Sequence, residues 1–368
     1  MSRVRDAFRK QSAVTATMGS PFTAALLGGL AEGLEPDGVV AAAVLNWPGD
    51  PYTRADALPL RLAGGLRALV LSGQDAELSA AYARAGAGRP ARETPLPPEE
   101  ARPLTIAALA AMRRHEDFLI DWLKSPPQTN EVRRSGPLIA AGHWLTARFG
   151  LPLVLSELGA SAGLNLLWDR YALDIGAVFG PADPALVLTP AWEGAPPPRA
   201  NPVILARSGV DLNPLDAVED RLRLVAYLWA DQPDRLERTA KALDLAAAMR
   251  PGIARGDAAD WLLPRLQTRH PGAVHVVFHT VAWQYFPAEV QARARALLDA
   301  AGAAATADAP LAHLSMEADD MGPGAALTLR LWPGNEDIAL GRADFHGRWV
   351  RWTAPALVTG AADTGPQA

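Results

Sequence analysis

The alternation of short apolar runs with amphipathic stretches after residue 150 is the feature that most constrains the fold. Runs typical of buried strands cover 152–156, 185–192, 203–209, 273–280 and 311–317, and helical spacing covers 217–229, 234–249, 260–269 and 287–301. Strands that alternate with helices of ten or more residues predict a parallel sheet with helical crossovers. We therefore expect an α/β fold with a doubly wound, mostly parallel sheet.

The first 150 residues differ, because their apolar residues recur at three- and four-residue spacing between Pro- and Gly-rich joints. This spacing predicts helices over 22–33, 64–71, 75–85, 104–123 and 137–149. This pattern predicts a helical N-terminal region over 1–150 that covers the carboxyl edge of an α/β domain over 151–355. Residues 178–202 are expected to form an inserted hairpin and loop. Residues 331–337 are expected to pair with 347–352 as an antiparallel C-terminal edge, and 356–368 to be a frayed tail.

Composition excludes several classes of function. A net charge of −5 is too negative for a general nucleic-acid binder. The absence of cysteine excludes disulfides, thiolate zinc sites and cysteine nucleophiles, and no His/Asp/Glu spacing is typical of another metal site. No apolar run reaches the 18 residues of a membrane span, and no signal peptide is visible. We expect a cytoplasmic protein without nucleic-acid, membrane or metal partners, whose oligomeric state stays open.

The strongest motif is Ser-Glu-Leu-Gly-Ala-Ser-Ala-Gly-Leu-Asn at 156–165, between a predicted strand and a predicted helix. Glycines in such a turn let the backbone approach a ligand, and the helix N-terminus offers free N–H groups. The motif resembles the first motif of class I S-adenosylmethionine-dependent methyltransferases, with a serine at its middle glycine. The resemblance implies a Rossmann-like domain that binds S-adenosylmethionine through Glu157, Gly159, Ser161 and Gly163. The alternative is an ordinary βα turn with a capping glutamate.

Two later acids fit the same resemblance. Asp211, in Asp-Leu-Asn-Pro, would end the second strand and bind the ribose hydroxyls, although it comes later in the chain than the family's acid does. Asp257 would follow the third strand and contact the adenine amino group. The alternatives are an Asx turn at Asp211 and a helix N-cap at Asp257.

Candidate catalytic and substrate-binding residues come from two further segments. The segment 276–287 begins in a predicted strand, where His279 is a candidate general base, Tyr285 a second catalytic candidate, and Trp283 a surface for substrate or sulfonium. Their alternative is plain core packing. Gln128, Asn130 and Glu131 lie in a polar loop that is suited to close over a small-molecule substrate. The alternative there is a solvated interhelical loop.

Two other functions stay open. Residues 159–163 also match Gly-x-Ser-x-Gly, the nucleophile turn of α/β-hydrolases, with Ser161, Asp257 or Glu317, and His346 as a possible triad. A non-catalytic binding protein with a nucleotide-binding fold is the second alternative.

Nearly the full chain resembles a bacterial family of uncharacterised proteins catalogued as domain of unknown function 2332. The resemblance rests on residues 127–131, 157–171, 211–214, 278–279, 283–285 and 346–349. That family implies no activity. The function expected from the motif order is methyl transfer to a small-molecule acceptor.

Overall fold

The structure is a computed structural model that describes residues 3–53 and 55–357. By its internal contacts the chain divides into two compact units, residues 1–129 with 216–240, and residues 130–215 with 241–368. The domain boundary expected at residue 150 stays a prediction. From residue 358 onward, the expected frayed tail lies outside the described residues.

The helices and strands are numbered in chain order. Helices α1–α12 are Arg3–Thr17, Pro21–Gly33, Val39–Leu45, Leu58–Leu71, Ala76–Arg84, Pro98–Arg114, Glu116–Leu123, Ser135–Phe149, Arg221–Ala226, Pro233–Met249, Ala258–Gln267 and Ala288–Ala303. Strands β1–β12 are Leu153–Leu158, Ala172–Asp174, Val178–Phe179, Val187–Leu188, Ala191–Glu193, Ile204–Asp211, Gly252–Arg255, Val274–Thr280, Leu311–Glu317, Ala325–Trp332, Glu336–Ala343 and Trp349–Trp352. Three 3₁₀ turns occupy Val132–Arg134, Asn165–Arg170 and Trp283–Tyr285.

The first unit is helical and packs around a large apolar core, with a smaller apolar cluster formed by Ala68, Trp122, Ala226 and Tyr227. Helix α2 shows why its sequence folds this way, because its buried apolar residues recur at helical spacing and Ser20 accepts a hydrogen bond from Thr23 N–H as the N-cap. The segment 216–240 joins this unit through Asp231, whose carboxylate accepts hydrogen bonds from the Ser20 hydroxyl (2.6 Å) and from Phe22 N–H (3.0 Å). Among the described residues, no helix is long and apolar enough to cross a bilayer.

The second unit contains a nine-stranded sheet in the order β5-β12-β11-β10-β9-β8-β1-β6-β7. Strands β7, β6, β1, β8 and β9 run parallel, as expected, and β9 to β12 form an antiparallel meander. Every residue of β1 and β8 is buried, which fits their mostly apolar sequences. The α/β class and the large, mostly parallel sheet expected from the sequence are confirmed.

The antiparallel C-terminal edge expected from the sequence is present in strands β9 to β12, but two strand pairings expected there and in the inserted segment are wrong. Residues 331–337 and 347–352 do not form one hairpin. Instead β10 pairs with β11 across a turn in which Gly334 and Asn335 have positive φ, and β12 lies on the far side of β11. The segment 178–202 is not a hairpin either, because β3 and β4 flank β2 in a separate small sheet and β5 pairs with β12.

Candidate functional site

The candidate site lies where the order of the parallel strands reverses direction. From β1 the chain adds β6 and then β7 on one side, and later adds β8 and β9 on the other side. The carboxyl ends of β1 and β8 therefore flank the point at which loops diverge from the sheet in opposite directions. Open α/β sheets bind ligands in the crevice at such a point.

The turn after β1 is tightly packed. Gly159, Ser161 and Gly163 have φ values of 73°, 53° and 72°. A Cβ at Gly159 would lie 2.5 Å from the Cβ of Ala282, and one at Gly163 would lie 2.8 Å from Ile253 Cδ1. Both glycines are therefore required by packing within the chain. This packing fits the ordinary βα turn that the sequence left open for these two positions.

Glu157 is buried at the end of β1, with 1% of its surface exposed. It lies opposite Gly209 of β6 and Phe278 of β8, and its Oε2 has no hydrogen-bond partner in the part of the chain that the structure describes. Burial raises the pKa of Glu157 well above its ordinary range, the Asp211 carboxylate raises this pKa further, and the Arg134 guanidinium opposes the rise. The site thus contains a buried carboxyl group that favours its neutral form and can accept a further hydrogen bond.

Asp211 connects the end of β6 to the turn. Its Oδ2 accepts a hydrogen bond from Ser161 N–H (2.8 Å), and its Oδ1 accepts one from Asn213 N–H (2.8 Å). The second bond is the Asx turn that the sequence left open. These bonds use two of the four lone-pair positions of the Asp211 carboxylate, which leaves two that could accept hydrogen bonds from ribose hydroxyls. The contact with ribose stays a prediction.

Residues 130–134 lie against the same turn. Asn130 Oδ1 accepts a hydrogen bond from Leu164 N–H (2.8 Å), while Glu131 caps the 3₁₀ turn that follows by accepting one from Arg133 N–H (3.2 Å). Gln128 belongs to the helical unit. The predicted contacts of these side chains with a substrate stay predictions.

Arg134 links two further loops to this position. Its Nε donates to the Phe345 carbonyl (2.9 Å) and its Nη1 donates to the Thr280 carbonyl (3.1 Å). A Cβ at Gly347 would lie 2.6 Å from the backbone of Arg133, so the turn that leads into β12 also packs on this loop. The predicted polar loop, residues 128–134, includes Arg134, although sequence reasoning assigned this residue no individual role. The segment 346–349 was the available signal for the second loop.

The helix predicted after the turn is a 3₁₀ turn, Asn165–Arg170, with non-helical dihedral angles at Leu167. Asn165 is buried, and its Oδ1 accepts a hydrogen bond from the Ser135 hydroxyl (2.8 Å). Its Nδ2 has no hydrogen-bond partner among the described residues. Asn165, which sequence reasoning did not assign to the site, therefore adds a second unpaired polar atom to the segment that begins at Glu157.

His279 is placed on the other face of the sheet. Glu157 pairs with Phe278, and successive strand residues point to opposite faces, so His279 and Glu157 point away from each other. The His279 ring stacks on Trp283 with centroids 4.7 Å apart, and both side chains are buried. These contacts fit the core-packing alternative, while Tyr285 is 73% exposed. The proposed catalytic and substrate-binding roles of these residues stay predictions.

Asp257 caps α11 by accepting hydrogen bonds from the N–H groups of Ala259 (2.9 Å) and Asp260 (3.0 Å). This is the helix N-cap that the sequence left open as the alternative role of Asp257. Its predicted contact with adenine stays a prediction. Within residues 3–53 and 55–357, no three His, Asp or Glu side chains are grouped so that they could hold a metal ion.

Four segments that are distant in sequence therefore meet the turn 159–164 or the loop that packs on it. They are residues 130–134, the end of β6, the loop after β8 and the turn before β12. No curated protein and no solved structure matches the chain. A family model matches residues 5–352, so the chain belongs to the family described as "Uncharacterized protein conserved in bacteria (DUF2332)".

Proposed function

We propose that this protein binds S-adenosylmethionine at the end of β1 and transfers its methyl group to a small-molecule acceptor. The observation that supports the proposal best is the strand order. Numbered among themselves along the chain, the five parallel strands lie in the order 3-2-1-4-5, which is the order of the Rossmann fold. In this order Glu157 and Asp211 end the first and second strands, at the positions that the methyltransferase resemblance gives to cofactor-binding acids.

The residues at this position fit the cofactor in one specific respect. A buried carboxyl oxygen without a partner is costly, and the Oε2 of Glu157 is such an atom among the described residues. In the resembled family the acid at this position binds the amino group of the cofactor. An ammonium group beside Glu157 would supply the missing hydrogen bond and favour the charged carboxylate.

The bound cofactor would supply an activated methyl group on a sulfonium. Glu157 would orient the amino-acid end and Asp211 the ribose, while Asp257 would face the adenine. Asn130 holds the turn through Leu164 N–H, so the loop 130–134 and the turn would move together. Gln128, Glu131 and Trp283 are the proposed acceptor-binding residues, with His279 and Tyr285 as the candidate proton-transfer residues.

Calorimetry with S-adenosylmethionine and S-adenosylhomocysteine tests this proposal. We expect binding to release protons, because burial favours the neutral form of Glu157 in the free protein and the ligand's ammonium group would favour the ionised form. Titrations in buffers of different ionisation enthalpy measure that release. Glu157→Gln should weaken binding about ten-fold or more, as expected for loss of a charge-assisted hydrogen bond, and should abolish proton release. A folded wild-type protein that fails to bind either ligand at millimolar concentration would contradict the proposal.

The hydrolase alternative is favoured by one observation, the positive φ of Ser161 within Gly-x-Ser-x-Gly. Against it, the two candidate triad acids direct hydrogen bonds elsewhere. Asp257 caps α11, and Glu317 accepts hydrogen bonds from His279 and from two backbone amides.

We expect a fluorophosphonate probe to leave the protein unlabelled, because only 6% of the Ser161 surface is exposed and the methyltransferase role requires only a small residue there. Gel fluorescence after incubation with the probe measures labelling. The matched control is Ser161→Ala. Labelling of the wild type that disappears in this variant would rank the hydrolase function above methyl transfer.

A further inference from the structure

The loop after β8 contains a strained residue. Val281 has a φ of 53°, and a β-branched side chain rarely adopts this left-handed conformation. Its N–H still donates to the Met316 carbonyl (2.8 Å), so the residue is well anchored. Strain of this kind persists only where surrounding contacts maintain it.

Those contacts come from Glu317, at the end of β9. Its Oε1 accepts hydrogen bonds from the N–H groups of Ala282 (2.9 Å) and Trp283 (3.1 Å), which directly follow the strained valine. Successive amides that point to one side form an anion-binding nest, and the carboxylate fills it. The reversed backbone at Val281 is what turns both amides toward Glu317.

His279 completes the anchor. Its Nδ1 lies 2.7 Å from the same Oε1 of Glu317. Although burial alone would raise the pKa of Glu317, the hydrogen bonds from His279 and from the two amides together hold this pKa below its ordinary value. The group in the nest is therefore a carboxylate with three donors.

On its other side the His279 ring contacts His313. The Nε2 of His313 is 3.0 Å from His279 Nε2, and burial, together with the neighbouring His279, holds the pKa of His313 well below its ordinary value. Two arginines whose charges also lower the pKa of His313 are engaged with other groups, since Arg295 stacks over the Trp283 ring (5.2 Å) and Arg330 pairs with Asp299 (3.1 Å).

The anchored loop supports the turn after β1. Ala282 occupies the space that a Cβ at Gly159 would need, and the Thr280 carbonyl accepts the hydrogen bond from Arg134. A displacement of the nest would therefore release the surface on which Gly159 packs. The same displacement would remove one of the hydrogen bonds that hold the Arg134 guanidinium, whose charge acts on Glu157.

We propose that Glu317 is a positioning residue for the site at the end of β1, acting through the backbone of residues 281–283. Glu317 lies outside the cofactor contacts proposed above, and its role rests on that proposed function. It fixes the loop that supports the turn.

Hydrogen exchange and calorimetry on the full chain test the proposal, with S-adenosylhomocysteine as the probe ligand. In Glu317→Gln and Glu317→Ala, amides in peptides covering 281–286 should exchange at least about ten-fold faster, because a charged acceptor is lost. Amides of β1 should keep their wild-type exchange rates. The affinity for the probe should fall about ten-fold, and less in the glutamine variant, which keeps an acceptor oxygen. Asp319→Asn is the matched control, because this nearby acid pairs with Arg342 (2.7 Å) and not with the loop.

The outcomes separate the inference from the proposed function. Unchanged exchange at 281–286 in both variants would overturn the anchoring role. Faster exchange with wild-type affinity would overturn the positioning role. If the wild type does not bind the probe, the proposed function fails and the positioning role fails with it, while the exchange rates still decide whether Glu317 anchors the loop.

Discussion

Replacing Gly159 by alanine should lower the free energy of unfolding by about 2–5 kcal/mol. A left-handed backbone costs a non-glycine residue about 1–2 kcal/mol, and an overlap in a close-packed region adds about 1–3 kcal/mol. The overlap is with the Cβ of Ala282, 2.5 Å away. Neither backbone yields easily, because Gly159 N–H donates to Val210 (2.9 Å) and Ala282 N–H donates to Glu317 (2.9 Å). Urea unfolding measures the loss.

Two control variants separate strain from overlap. Gly150 has a similar φ of 66°, and no neighbouring group of the described residues lies within 4 Å of the position that its Cβ would take. Gly150→Ala should therefore cost only about 1–2 kcal/mol, the cost of a left-handed backbone. In the double variant Gly159→Ala/Ala282→Gly, the overlap is removed and the cost should fall to about that of Gly150→Ala. A Gly159→Ala variant that is no less stable than Gly150→Ala would show that the loop after β8 does not support the turn.

The parallel part of the sheet could be predicted from sequence because its central strands are buried on both faces. All seven residues of β8 are buried, and its sequence is mostly apolar, with polar residues at His275, His279 and Thr280. The helix α1 escaped prediction for the opposite reason. Two of its buried positions are Gln11 and Thr15, so the apolar stripe along the helix ends after Phe8.

The edge pairings could not be predicted, because short strands carry little sequence signal. Strands β3 and β4 have two residues each, and their pairing with β2 depends on which edges the fold leaves available. The split between α6 and α7 has a similar origin. His115 interrupts a helical pattern that the sequence predicted as continuous over 104–123, with φ −124° and ψ 43°.

At the candidate site, the predictable residues were those that end strands. Glu157 and Asp211 follow apolar runs, and parallel strands end at one edge of a sheet. Glu317 also ends a strand, but its role in holding the loop after β8, like the role of Arg134, could not be found in this way, because the backbone groups that these side chains bind are more than 30 residues away in sequence. No local pattern marks a side chain whose role is to hold a distant loop.

Glu157→Gln should stabilise the protein by an amount that grows with pH. A glutamate in the unfolded chain has a pKa of about 4.3, whereas burial raises the pKa of Glu157 in the folded protein. Between these two pKa values the unfolded chain loses its proton first, so the wild type loses stability as pH rises, by at most about 1.4 kcal/mol per pH unit. Glutamine does not titrate, so its amide changes the free energy of unfolding by an amount that does not depend on pH.

Urea unfolding of wild type and variant between about pH 4.5 and 7.5, the range above the unfolded pKa, measures this difference, which should increase over the range and level off above the folded pKa. Glu317→Gln is the control of opposite sign, because its folded pKa is lowered. Glu317 stabilises the fold above the unfolded pKa, and this contribution disappears as pH falls through the folded pKa. The Glu317→Gln variant should therefore be less stable than wild type by a constant amount over about pH 4.5–7.5, and this deficit should shrink only when the titration is continued below the unfolded pKa of about 4.3. If the Glu157→Gln difference is flat across the range, Glu157 is not held neutral, and proton release on ligand binding should be absent as well.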